Sequence, residues 1–209
     1  MLHKKTILLF ILKLVLFCGV LAAPLSFYDD AYGSFFRSVG KKFFEHFRQD
    51  GFVLFGEGKT KDMTEVVIGN YNVRNSDNTA KGFQFEINTR YLGYMPTILF
   101  ISLVLASPVS WRRRFIALLI GLTLVTLAVM FKQWIELLAV SNKHDWLKLV
   151  NFSPGQLKLL DIAYKGVSRA ASAMLYFVVI LWLLVTFRLD DFKALTGKLK
   201  VPATPVAKK

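Results

Sequence analysis

A lysine stands in the middle of an apolar run. Lys13 interrupts residues 6–23, TILLFILKLVLFCGVLAA, about 12 Å along a helix from Lys5 at 1.5 Å per residue. A charge surrounded by hydrocarbon is costly, so it marks an ion path or a partner's counter-charge, or else a side chain that snorkels to the interface. No Asp or Glu occurs within the apolar runs to partner it, which speaks against a proton relay. Ser102, Thr123 and Thr126 sit in later apolar runs, and with Lys13 they form a candidate intramembrane polar site.

The other reactive residue types are scattered. His3, His46 and His144 have no second metal-type ligand at a recognisable spacing. His144 and Asp145 are neighbours, and adjacent residues do not face the same way on a helix. Cys18 is the single cysteine, so no intramolecular disulfide forms, and its apolar surroundings disfavour a thiolate. No serine stands in a nucleophile-elbow context. The sequence therefore predicts no catalytic residues, no metal and no cofactor. Asn151, Phe152 and Ser153 make a formal glycosylation sequon, but Ser153 is better explained as a helix cap.

The elements that would position these residues are membrane elements. Hydrophobic residues make up 54% of 209 residues, including 19 Phe, and the mean hydropathy is +0.44, above the ordinary globular range. The net charge of +13 resembles a nucleic-acid signal until it is mapped. Residues 24–94 are neutral, while 1–5, 112–114 and 188–209 hold eleven Lys/Arg against Asp190 and Asp191. The excess lies beside apolar runs, where it sets orientation and meets anionic headgroups. Nucleic-acid binding is not expected.

Four spans are expected: within 1–23, two in a hairpin over 94–134, and 171–187. A cleaved signal peptide competes for the first; the awkward Ala23-Pro24 start that cleavage would leave favours a retained helix. Ser153, Pro154 and Gln156 have the form of a capped helix start, opening one helix of about 34 residues. Gly166 and Ala170, with Ser168 and Ser172, are small residues four apart, a candidate helix-packing face.

Between the first two spans, residues 24–93 read as a small α+β domain. Tyr32, Phe36, Val39, Phe43 and Phe47 recur at helical spacing, predicting an amphipathic helix that either lies in the membrane interface or packs on strands. Phe83, Phe85 and Ile87 then alternate with Gln84, Glu86 and Asn88, and about three antiparallel strands are expected. Charge placement puts both termini and the 112–114 turn in the cytoplasm. The 24–93 domain and 135–170, an outer loop and half-helix, then lie outside it, and 188–209 is a basic cytoplasmic tail.

This layout, with the first span ending at Pro24, Tyr94, Met95 and Pro96 opening a hairpin broken by Arg112, Arg113 and Arg114, and a last helix finishing near Phe187, resembles the small exosortase-associated membrane proteins of bacteria. The resemblance implies a multi-pass inner-membrane accessory protein beside a sorting or polysaccharide-export system, without catalysis. The expected partners are the lipid bilayer, a membrane or periplasmic protein, and a second copy in a homo-oligomer. A small oligomeric transporter or channel subunit, using Lys13, is the alternative.

Overall fold

In the computed structural model, residues 2–23, 25–48, 50–147, 149–168 and 173–187 are described. Six helices, α1 (Leu2–Ala22), α2 (Leu25–Phe44), α3 (Met95–Ala106), α4 (Trp111–Lys143), α5 (Pro154–Ser168) and α6 (Ala173–Thr186), accompany three strands, β1 (Gly51–Glu57), β2 (Met63–Arg74) and β3 (Ala80–Asn88).

The four transmembrane helices expected from the sequence are not found. Among the described residues, two helices, Lys5–Ala22 and Trp111–Lys143, have the length and apolarity to cross a bilayer. The twelve α-helical residues of α3 reach about 18 Å and the fourteen of α6 about 21 Å, against a hydrocarbon core of about 30 Å. The chain is a mostly helical protein with one small sheet, not a four-span membrane protein.

Counting apolar residues overran the helix because Pro108 ends α3. Ser107, before it, takes the extended conformation proline imposes on its predecessor, φ −60° and ψ 138°. The corner is then locked. Trp182 Nε1 donates to Ser107 Oγ at 2.8 Å, and Arg114 Nη2 donates to the Ser107 carbonyl at 2.8 Å. The expected long helix over 154–187 is described as α5 and α6, and the four residues between lie outside the described residues.

α1 runs antiparallel along α3. Tyr94 Oη donates to the Leu21 carbonyl at one end, and Thr6 and Ile7 share a small apolar cavity with Pro108 and Phe187 at the other. The start of α1, the 107–114 corner and the end of α6 therefore meet at one end of the bundle. α3 supplies its core, with Phe100, Val104 and Ser102 fully buried.

At the opposite end sits a three-stranded antiparallel meander in the order β1-β2-β3. Its inner face, Val53, Val66, Ile68 and Ile87, is buried, as period-two alternation requires. α2 packs on this face rather than standing apart: Phe36 meets Phe55 edge-on at 5.9 Å, and Phe44 lies 6.0 Å from the same ring. On the other face the Phe52 ring lies across its cross-strand neighbours Gly69 and Gly82, where any Cβ would meet it.

Two polar devices tie the sheet to the bundle. Asp62 accepts from Thr60 Oγ1 at 2.6 Å and Asn88 Nδ2 at 3.0 Å, and its carbonyl accepts from the Thr89 amide and hydroxyl. The Thr60 bond, foremost, holds its carboxyl below the usual range. Thr89 thereby fixes the π-helical turn Arg90–Tyr94 that leads into α3. There Tyr32 is half-buried, 5.8 Å from the Tyr94 ring and hydrogen-bonded to Thr97; loss of water around it pushes its phenol up to about 12. The second device is the segment after α4. The His144 ring lies 3.9 Å from Phe83, Trp146 receives the Lys81 ammonium at 4.4 Å, and the Leu147 carbonyl accepts Asn70 Nδ2 at 2.8 Å. Leu149 reaches the Gly51 position. Lys81, Asn70 and Gly51 form one cross-strand row, so this segment straps all three strands.

Candidate docking groove

The convergence of polar side chains richest in chemistry lies between β3, α4 and α5. β3 alternates Phe83, Phe85 and Ile87 with Gln84, Glu86 and Asn88 because one face is buried and the other wet. α4 continues past its apolar stretch with Lys132 and Glu136, both half-buried. α5 is placed by the reciprocal cap that its sequence implies: the Ser153 amide donates to Gln156 Oε1 at 2.9 Å, and the Gln156 amide donates back to Ser153 Oγ at 3.4 Å.

Two cavities of about 370 and 500 Å³ adjoin here, sharing Val140 and Tyr164. The first takes in four consecutive β3 residues, 85–88, with Lys132 and Glu136 opposite. Successive strand residues point to opposite faces, so a cavity touching four in a row runs along the edge of the strand. That edge is the side of β3 away from β2. The second cavity carries Lys143, His144 and Asp161, the last paired with Lys165 on the next turn of α5. Glu86 accepts from the Lys59 amide at 3.3 Å, which holds the β1–β2 loop beside the groove. Carboxylates and amines thus alternate along an apolar floor, an arrangement suited to recognising a polypeptide by its backbone and charged side chains.

The residues singled out in the sequence are distributed differently. The pairing of α1 with α3 sets position 13 near the level of Ser102; Lys13 is half-buried, and the Ser102 hydroxyl is buried with no hydrogen-bond partner. Thr123 is exposed and Thr126 half-buried, each donating to its own helix, to the Leu119 and Leu122 carbonyls. Gly166 is exposed, and among the described residues nothing lies within 4 Å of where a Cβ would sit. Ser168 closes α5, while Ala170 and Ser172 lie outside the described residues. His46 lies near the end of α2 and His144 in the strap. Among the described residues no three His, Cys, Asp or Glu side chains group as a metal site would require.

Sequence reasoning missed Glu86 and Tyr164. Alternation told which face of β3 is wet but not which edge is free, since strand order is a tertiary property.

No protein-family model matches the chain, and no match was found among curated proteins or solved structures.

Proposed function

We propose that this chain is a membrane-attached accessory subunit that docks an extended segment of a partner protein along the free edge of β3. The observation that carries this reading is the cavity spanning residues 85–88, because an open strand edge offers unpaired backbone donors and acceptors to an added strand. Membrane attachment is supported by the exposed apolar faces of α1 and α4, where Leu8, Leu12, Val15, Leu119 and Phe131 are all more than half exposed. On the resemblance to exosortase-associated proteins, the partner belongs to a sorting or polysaccharide-export system of the bacterial envelope.

The test is a photo-crosslinking amino acid at position 86, in the groove, and at position 71, on the same sheet face but beside Phe52 and away from the β3 edge. Native membranes should give one discrete protein adduct from position 86 and none from 71. Equal adducts at both positions, or lipid adducts only, would remove the edge-docking reading.

The transporter alternative draws support from one observation, the buried unpaired Ser102 hydroxyl near the level of Lys13. Lys13→Leu should then abolish transport; unchanged function in the cell removes the idea.

A further inference from the structure

Beside the docking groove, and separate from it, a cavity of about 640 Å³ opens where the end of α2 meets the middle of α4. Its size falls within the range of small-molecule sites, about 300–1,000 Å³. Phe43 and Phe47 form one wall, and Leu127, Phe131 and Trp134 form the other. Three of these, Phe43, Phe131 and Trp134, are exposed at 55%, 58% and 41%, so the walls present apolar surface that no other part of the described chain covers. The two ionisable lining residues, His46 and Arg48, are both basic, and Lys41 and Lys42 stand in the last turn of α2 nearby.

Position along α4 indicates what fills the cavity. The helix is aliphatic from Ala117 to about Ala128, then turns to Phe131, Lys132 and Trp134. That change is the composition of a hydrocarbon-to-headgroup boundary, where aromatic rings and basic side chains collect. An apolar slot with cations at this boundary matches a molecule with an acyl chain and an anionic head. Arg48 adds a second observation. Its φ of 64° places a non-glycine residue in the left-handed region, a conformation that costs free energy and is kept where the surrounding structure demands it. The bend aims the chain from α2 into β1 and leaves the guanidinium exposed at the cavity.

We propose that this cavity binds an anionic glycerophospholipid, with the acyl chain against Leu127 and Phe131 and the phosphate at Arg48 and His46. The inference rests on membrane attachment through α4. It adds a specific lipid to the generic bilayer contact of that reading.

The experiment uses the full chain in nanodiscs containing brominated-chain phosphatidylglycerol or brominated-chain phosphatidylcholine. The readout is quenching assigned to Trp134 as the difference between the native chain and Trp134→Phe. Quenching by the anionic lipid should exceed that by the zwitterionic one. Arg48→Gly, which suits the left-handed backbone, should lower that preference about fivefold, the contribution of one cation beside anionic headgroups. His46→Gln combined with Arg48→Gly should abolish it, with unchanged amide exchange in β1–β3 confirming the fold. Equal quenching by both lipids overturns the proposal while leaving membrane attachment intact. No quenching of Trp134 by either lipid overturns both.

Discussion

In the bundle the Phe100 ring lies against α4 at Gly121, and in the sheet the Phe52 ring lies across Gly69 and Gly82. The two contacts are alike in kind, an aromatic face seated where a Cβ is missing, but their surroundings differ. Around Phe100 the helices are joined chiefly by apolar packing, and their outward faces remain apolar, with Leu8, Leu12 and Val15 exposed at 68%, 64% and 65%. The sheet that carries Phe52 is covered by α2 on its other face and stitched by side chains that bond distant backbone, Asn70 to Leu147 and Thr89 to Asp62. Water on the outside rewards burying apolar groups and penalises loose polar ones; hydrocarbon on the outside gives no reward for hiding a leucine. The sheet is closed the way a body in water is; the exposed apolar faces of α1 and α4 are what the proposed membrane attachment would require.

The largest effect that tests this contrast is in the sheet. Ile68 is fully buried, and Ile68→Ala should cost about 2–5 kcal/mol, read as a lower midpoint of thermal unfolding in detergent. A cost under about 1 kcal/mol would mean the sheet lacks a water-type core. Next is the bundle: Leu12→Asp places a charge near the centre of α1 and should disfavour insertion by about 3 kcal/mol, read as loss from the membrane fraction. Unchanged partitioning would put that face in water and collapse the contrast. Asn70→Ala leaves the Leu147 carbonyl without its donor and should cost about 1–3 kcal/mol, read as faster amide exchange across the strap. If the strap exchanges no faster, it is held by its rings alone.

Tyr32→Phe should have the smallest effect, about 1 kcal/mol at neutral pH from the lost hydrogen bond to Thr97. The folded chain keeps the Tyr32 proton to about 12, while the unfolded phenol ionises near 10. The folded state therefore binds that proton more tightly between these values. Its contribution is fully present below pH 10 and is lost as pH rises through 12. The phenylalanine variant should show a shallower alkaline decline than the native chain; identical curves would place Tyr32 in contact with solvent.

Much of the sheet was legible because alternation is a local property: Phe83, Phe85 and Ile87 report their face without reference to the rest of the chain. The Ser153 and Gln156 cap was legible for the same reason, since both bonds close within three residues. Spans were not, because an apolar run gives the amount of hydrophobic chain while the helix ends where the backbone must turn, at Ser107 and Pro108. The strap and the groove were not legible at all. Asn70 and Leu147, or Glu86 and Tyr164, carry no spacing that announces a meeting; only the seating of the sheet against α4 and α5 joins them. The polar set Lys13, Ser102, Thr123 and Thr126 shows the converse: shared apolar context made four residues look like one site, and the helix faces separate Thr123 from it.

The bond between Asn70 and Leu147 spans 77 residues of chain. At about 5–20 residues per second, a ribosome needs on the order of ten seconds to deliver the second partner after the first. During that interval β1, β2 and β3 have emerged with one end of the meander unfastened, and α4 must be synthesised and placed before the fastening arrives. The order of biosynthesis thus makes completion of the sheet contingent on correct placement of a helix encoded after it, so a misplaced α4 leaves an incompletely closed meander open to proteolysis.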